Sequence, residues 1–228
     1  MKKILLILPL IIITFTSCDF KSSSDYNAEA ENLENEGRYK EAITLLDKAL
    51  EKDPENIYAL LNRALDKSIL KDYEGSIKDY SKVIELDERN TLAYINRGNV
   101  KNVINDFKGA IEDCEKAIKT KGTESIYMDL SENSFVDLGF EFDVKMEKIR
   151  FERGIARYNI DSLKLAFEDF DFCVEKNYEL ALSYYWRGII FLSYGMNNEG
   201  CEDLFESQKL GNENAKELIE KNCKQTKN

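Results

Sequence analysis

Residues 37–54 read Gly-Arg-Tyr-Lys-Glu-Ala-Ile-Thr-Leu-Leu-Asp-Lys-Ala-Leu-Glu-Lys-Asp-Pro, and this stretch decides the fold because its pattern recurs along the chain. Matching residues stand 34 positions apart. The sets that share this interval are Tyr39, Tyr73 and Phe107; Ala42, Ser76 and Ala110; Leu46, Tyr80 and Cys114; and Ala49, Val83 and Ala117. A period of this size is typical of stacked small units, none of which buries its apolar side alone. The sequence therefore predicts a solenoid built by repetition.

Each repeat contains two segments with helical periodicity. The first three repeats span 23–56, 57–90 and 91–124. In the second segment of the first repeat, Ala42, Leu46 and Ala49 lie on one side of a helix. The pair Asp53-Pro54 closes this repeat, since proline commonly follows a helix end. We therefore expect each repeat to form an antiparallel helix hairpin.

This pattern resembles the tetratricopeptide repeat, and residues 37–54 carry the closest match. The family has a small residue at the eighth place of each repeat. Here that place holds Ala30, Ala64, Gly98, Gly154 and Gly188. The step from Gly98 to Gly154 is 56 residues, which exceeds one period by 22, so an insert interrupts the stack.

The resemblance implies an all-α fold, a right-handed superhelical stack of about five helix hairpins that ends in a capping helix. Such a cap shields the last apolar side of an open-ended stack from water. The predicted organisation is a lipoprotein signal peptide at 1–17, a lipidated cysteine and polar tether at 18–25, repeats one to three at 26–124, an insert at 125–146, repeats four and five at 147–214, and the capping helix and tail at 215–228.

The N-terminus has the features of an export signal. Lys2 and Lys3 precede an apolar run at 4–15, which is shorter than the roughly 20 residues that span a bilayer. The following Phe15-Thr16-Ser17-Cys18 resembles a bacterial lipobox, which implies lipidation of Cys18 and attachment to a membrane of the bacterial cell envelope. An ordinary cleaved signal peptide and an uncleaved anchor are the alternatives.

Composition excludes several classes of function. A formal charge of −11 repels nucleic acid, so we expect no nucleic-acid partner. The chain has no histidine, which removes the commonest general base and zinc ligand. It also lacks a glycine-rich phosphate loop, and Asp169-Phe-Asp171 has too few partners for a calcium loop. We expect no metal, no cofactor and no catalysis, with an enzyme site in the insert as a remote alternative.

Arginine and aspartate recur together, with the aspartate 16 residues after the arginine. The pairs are Arg63 and Asp79, Arg97 and Asp113, Arg153 and Asp169, and Arg187 and Asp203. The arginine belongs to the first helix of its hairpin and the aspartate to the second. Because a guanidinium binds a carboxylate through two parallel hydrogen bonds, we interpret the pairs as a structural ladder. A row of anion-binding arginines is the alternative.

In tetratricopeptide stacks the first helix of each hairpin lines the concave side, and its second, fifth and ninth places face inward. The resemblance thus implies a partner-binding groove formed by Tyr58, Leu61, Leu65, Leu92, Ile95, Asn99, Phe151, Ile155, Tyr185 and Ile189. A mostly apolar row suits an amphipathic helix or an extended apolar segment of another protein. It lacks the lysines and arginines with which some members of the family hold an acidic C-terminus.

Two other readings of this row stay open. The row could be covered by the insert or by tight packing between helices. Alternatively, its aromatic residues could bind a small molecule or a glycan. The aromatic residues in question are Tyr58, Phe151, Tyr185 and Trp186. We favour an envelope-anchored scaffold that binds another protein.

Cys201 and Cys223 lie ten residues before and eleven residues after the turn that begins at Gly211-Asn212. In an antiparallel helix pair they would be side by side, and a disulfide could form outside the cytoplasm. Cys114 and Cys173 stand at interior places, where we expect buried thiols.

The insert ends in a segment with a different period. Residues 139–144, Gly-Phe-Glu-Phe-Asp-Val, alternate with period two, which favours an extended conformation. The insert is either a functional element or a connector.

Overall fold

The computed structural model describes residues 20–120, 128–129, 134–135 and 144–223. The signal peptide, Cys18 and most of the insert, including residues 139–143, lie outside the described residues. Within the described part, the helices are α1 (Ser23–Asn35), α2 (Tyr39–Lys52), α3 (Ile57–Ile69), α4 (Tyr73–Leu86), α5 (Thr91–Val103), α6 (Phe107–Thr120), α7 (Met146–Asn159), α8 (Leu163–Glu175), α9 (Leu180–Ser193), α10 (Asn197–Lys209) and α11 (Asn214–Asn222). Two short strands, β1 (Met128–Asp129) and β2 (Ser134–Phe135), form an antiparallel pair within the insert.

Consecutive helices pair as hairpins: α1 with α2, α3 with α4, α5 with α6, α7 with α8, and α9 with α10. Helix α11 packs against α10 at the end of the stack. Helix α7 packs against α6 as α3 packs against α2, although the insert separates them in sequence. The predicted fold class, a stack of about five hairpins with a terminal helix, is confirmed for the described residues.

The turn inside each hairpin has the same geometry. A residue with a positive φ angle stands two positions after the last residue of each first helix. These residues are Gly37, Lys71, Asn105, Asp161 and Gly195. In the second hairpin, the Asp72 N–H donates to the Lys67 carbonyl at 2.8 Å and the Lys71 N–H to that of Ser68 at 3.0 Å, which satisfies two carbonyls at the helix end. The Asp72 side chain then begins α4 by accepting from the Gly75 N–H at 3.0 Å.

Close approach of the two helices in a hairpin requires the small residues that mark the repeat. A Cβ atom on Gly154 would lie 3.0 Å from the Phe170 ring, and one on Gly188 would lie 3.0 Å from the Gly200 carbonyl oxygen. Larger side chains fill the space around these contacts. The same place in each second helix is fully buried, and it holds Leu46, Tyr80, Cys114, Phe170 and Leu204. Burying one such apolar side chain contributes roughly 1.5–3 kcal/mol.

Each predicted arginine lies against its aspartate. Both Nε and Nη2 of the guanidinium donate to the two carboxylate oxygens at 2.6–3.0 Å in all four pairs. The four carboxylates are buried, so the paired hydrogen bonds offset the cost of removing their charge from water. In three hairpins a second cation, Lys67, Lys101 or Arg157, also contacts the same carboxylate.

The arginines also reach back to the preceding hairpin. Nη1 of Arg63 lies 2.7 Å from Asp47 in α2, and Nη1 of Arg187 lies 2.6 Å from Asp171 in α8. Each of these arginines therefore joins three successive helices. We call this set of contacts the arginine ladder.

The last hairpin and the terminal helix are joined covalently. Cys201 in α10 and Cys223 at the end of α11 form a disulfide, with their Cα atoms 5.6 Å apart. Cys114 and Cys173 are buried free thiols, and burial raises the pKa of Cys173 to about 12. These two thiols are therefore expected to stay protonated and inert.

Replacing both Cys201 and Cys223 by serine should lower the free energy of unfolding by about 3 kcal/mol, because the cross-link closes a loop of 22 residues. Urea denaturation measures this loss, and wild-type protein unfolded in dithiothreitol should match the double variant. In a Cys18→Ser variant, thiol titration after denaturation without reductant should find only Cys114 and Cys173. Four reactive thiols would contradict the disulfide.

Candidate partner-binding surface

The first helices of the hairpins form the inner side of the stack. Helices α1, α3, α5 and α7 contact one another directly, and no two second helices make comparable contacts within the described residues. The Asn56 side chain donates to Ser23 at 2.8 Å, and the Asn102 side chain donates to the Glu152 carbonyl at 3.0 Å. Since the first helices lie closer together than the second helices, the stack curves with its first helices on the concave side.

Seven of the ten predicted groove residues are at least partly accessible. Leu65 is 47% exposed. The others are half-buried, namely Tyr58, Leu92, Asn99, Ile155, Tyr185 and Ile189. They lie on α3, α5, α7 and α9, so the inner surface does present a row of mainly apolar side chains.

Leu61, Ile95 and Phe151, in contrast, are buried and cannot contact a partner in this conformation. All three occupy the fifth place of a first helix, and each belongs to a hydrophobic core cluster. Ile95 belongs to a core cluster with Val144 and Ile149. The chain just before α7 and the first turn of α7 therefore cover it. Phe151 contacts the Phe170 ring edge-on, with ring centres 5.8 Å apart. The prediction that these three residues line an open groove is wrong, because their side chains are buried in the hydrophobic core.

Two exposed residues of the inner side were not predicted. Ile69 is 44% exposed and Val103 is 58% exposed. Ile69 follows Leu65 by four residues, and Val103 follows Asn99 by four residues, so each lies one helical turn further along the same face. That spacing was readable from the sequence. We call Leu65, Ile69 and Val103 the inner patch.

Buried carboxyl groups lie beside this patch. Asp66 is only 1% exposed, and its Oδ2 has no hydrogen-bond partner. Burial, together with the negative charge of Glu34, raises the pKa of Asp66 to about 7. The pKa of Glu34 is itself raised by burial and by the nearby charge of Glu31. The first two hairpins therefore bring the carboxyl groups of Glu31, Glu34 and Asp66 close together.

The equivalent place in three other hairpins holds an apolar residue. Val100, Ala156 and Ile190 stand where the second hairpin has Asp66, and all of them are buried. Sequence reasoning missed this difference, although the 34-residue register displays it. On α7, burial also raises the pKa of Glu152, whose carboxylate is partly compensated by a hydrogen bond from Asn102.

The aromatic residues of the fourth and fifth hairpins pack mainly against one another. The Trp186 ring stacks on Phe170 with centres 5.9 Å apart and an angle of 10° between the planes. Tyr158 and Tyr185 contact Trp186 at 5.0 and 5.5 Å. One face of Trp186 is thus covered by a core residue, and Phe151 is buried. These two rings serve packing, which weakens the alternative of an aromatic glycan site.

Comparison with known proteins agrees with the hairpin geometry. A family profile described as the tetratricopeptide repeat matches residues 24–56. The sequence matches no curated protein sequence. Among solved structures, MamA from Desulfovibrio magneticus RS-1, from its residue 41 to the end, superposes with a TM-score of 0.68 at 15% identity, covering 82% of this chain and 94% of that one.

Two further solved structures are similar. Pseudomonas aeruginosa PilF has a TM-score of 0.67 at 16% identity and covers 86% of this chain and 80% of its own. YrrB, described as a TPR protein with an unusual peptide-binding site, has a TM-score of 0.65 at 17% identity, with coverage of 86% and 90%. The chain therefore has the tetratricopeptide-repeat fold. None of the helices in its described part is long and apolar enough to cross a bilayer.

Asp66→Asn should be more stable than the wild type at pH 8, and this advantage should vanish towards pH 4. The folded-state pKa of about 7 lies above the ordinary 3.8, so the folded protein binds the proton more tightly and loses stability as the pH rises between these values. The loss is at most about 1.4 kcal/mol per pH unit. Urea unfolding at several pH values measures it. The matched exposed variant Glu112→Gln should show no such trend, and an equal trend in both would contradict the assignment.

Proposed function

We propose that this protein is a non-catalytic adaptor of the bacterial cell envelope that holds a segment of a partner protein on its concave side. The observation that supports this most directly is the inner patch. Leu65, Ile69 and Val103 expose apolar side chains on neighbouring first helices, α3 and α5. Covering such an apolar surface removes it from water, which lowers the free energy.

The chemistry around the patch restricts the partner segment. Half-buried Leu92 and Ile155 extend the apolar row along α5 and α7. Glu31 and Glu34 lie in the last turns of α1, where they would repel an acidic segment. An amphipathic helix or an extended apolar segment without acidic residues fits this surface best.

The fold is compatible with this role. YrrB, which shares the fold, is described as having a peptide-binding site. The alternative of a small-molecule or glycan site has less support, because Phe151 and one face of Trp186 are used in packing. An enzyme site in the insert would fall outside the described residues, and the arginine ladder has a structural explanation that needs no chemistry.

Attachment to a membrane rests on the sequence Phe15-Thr16-Ser17-Cys18. Helix α1 begins at Ser23, five residues after Cys18. Even a fully extended link of that length reaches no more than about 18 Å. A lipid on Cys18 would therefore hold the first hairpin close to the membrane surface, and the concave side would be available to proteins that share that surface.

A photo-crosslinking amino acid placed at Leu65, Ile69 or Val103 should capture the same partner in the native cell, because all three side chains face one occupied surface. Mass spectrometry identifies the adducts. Leu165 in α8 and Phe205 in α10 are comparably exposed on second helices and serve as matched controls. A concave binding site would be contradicted if no adduct forms at the inner patch. It would also be contradicted if the control positions capture the same protein as the inner patch.

Cys18→Ser should release the protein from the membrane fraction, because thioether-linked and amide-linked acyl chains need this cysteine. Fractionation of cells with an antibody readout measures the shift, and metabolic labelling with a clickable fatty acid should lose its signal in parallel. Ser17→Ala keeps a small residue before the cysteine and should leave both readouts unchanged. A variant that stays on the membrane and stays labelled would show that Cys18 is not the anchor.

A further inference from the structure

A cleft with a volume of about 510 Å³ lies between α4 and α6, and α5 forms its floor. It is on the side of the stack made by second helices, away from the inner patch. Its lining residues are Ser81, Ile84, Glu85, Glu88, Tyr94, Arg97, Lys116, Lys119 and Thr120. The cleft thus combines hydroxyl groups with charged side chains of both signs.

The arginine ladder has a gap at this cleft. In the second and fifth hairpins, Nη1 of the arginine reaches a carboxylate of the preceding hairpin, Asp47 or Asp171. The third hairpin has Ser81 at that place, and Nη1 of Arg97 donates to its hydroxyl oxygen at 2.9 Å. The Ser81 hydroxyl donates in turn to the Ile77 carbonyl at 2.7 Å. A neutral group therefore stands where the other hairpins have an acid.

The gap leaves positive charge uncompensated. Arg97 and Lys101 share one carboxylate, Asp113, at 2.6 and 2.9 Å. Arg63 and Lys67, by comparison, have two carboxylates within ion-pair distance. Among the described residues, the third hairpin is therefore the place in the arginine ladder where the cations outnumber the carboxylates that they contact.

Two further cations face the cleft. Lys116 and Lys119 project from α6, and neither makes an ion pair with any residue that the structure describes. Glu85 in α4 and Glu88, which follows α4, stand on the facing wall, and Glu85 already contacts Lys82 at 3.3 Å. Three cations thus face two carboxylates in a protein whose formal charge is −11.

The geometry points to a binding site for a carboxylate, which would take at Arg97 the place that Asp47 and Asp171 occupy in the other hairpins. Nη1 of Arg97 supplies a charged donor with the same direction as in those two ion pairs. Lys116 and Lys119 add positive charge at the rim. The volume lies in the usual range of about 300–1,000 Å³ for ligand sites, so it holds more than one carboxylate group.

The carboxylate could belong to a free organic acid or to an acidic side chain of another protein, and the same contacts would recognise either. The proposal does not depend on the concave site, because the two surfaces share no residue. It also leaves the ladder intact, since Nε and Nη2 of Arg97 remain bound to Asp113.

The direct test is to titrate citrate into the detergent-solubilised full chain at low ionic strength. Calorimetry and the shifts of the amide NMR signals of Ser81 and Arg97 measure the binding. We expect a Kd of about 1 mM or lower. Ser81→Asp supplies the missing carboxylate from the chain itself, so it should weaken citrate binding at least about tenfold. It should also fold at least as stably as the wild type, which removes misfolding as an explanation.

Ser81→Ala is the comparison variant, because it removes the hydroxyl without adding charge and should therefore weaken citrate binding less than Ser81→Asp does. Lys116→Gln with Lys119→Gln should weaken binding, and Glu88→Gln should strengthen it about twofold. A glutamate-rich peptide that competes with citrate would assign the site to a protein partner. Absence of binding to the wild type, unchanged binding by Ser81→Asp, or equal binding of inorganic phosphate would overturn the proposal of a carboxylate site.

Discussion

A hairpin of two short helices cannot bury its apolar side alone, and the stacking of all the hairpins in this protein follows from that constraint. Each hairpin buries its fully enclosed residue, such as Leu46 or Phe170, only between its own helices and those of its neighbours. The small residues at the eighth place make this possible, since a Cβ on Gly154 would already touch Phe170. Stability is therefore built step by step along the chain.

The polar contacts act on top of this packing. Each ladder arginine joins its own hairpin through an aspartate, and Arg63 and Arg187 also join the preceding one. A buried charge is costly to leave unpaired, so such contacts favour one register between hairpins over others. Asp66 departs from this rule because Oδ2 of its buried carboxyl lacks a hydrogen-bond partner, and it does so next to exposed apolar residues of the inner side.

The repeat period was sufficient to predict the hairpins, the terminal helix and the pairing of arginine with aspartate, because all of them depend on register alone. Burial along the concave side was harder to predict. Leu61 and Leu65 are both apolar and lie four residues apart, but the first belongs to the hydrophobic core and the second is exposed. That difference depends on how the helices pack against one another, which sequence periodicity does not encode. Ile69, Val103 and the serine at position 81 were visible in the register and required only comparison between repeats.

Helices α6 and α7 pack as ordinary neighbours although residues 121–145 lie between them in sequence. This intervening segment begins and ends at one joint of the stack, so the packing of the helices does not depend on its length. Doubling the length of such a loop costs only about 0.6 kcal/mol in closure entropy. This joint is a place where evolution, or a protein engineer, can exchange one appendage for another while the scaffold keeps its shape.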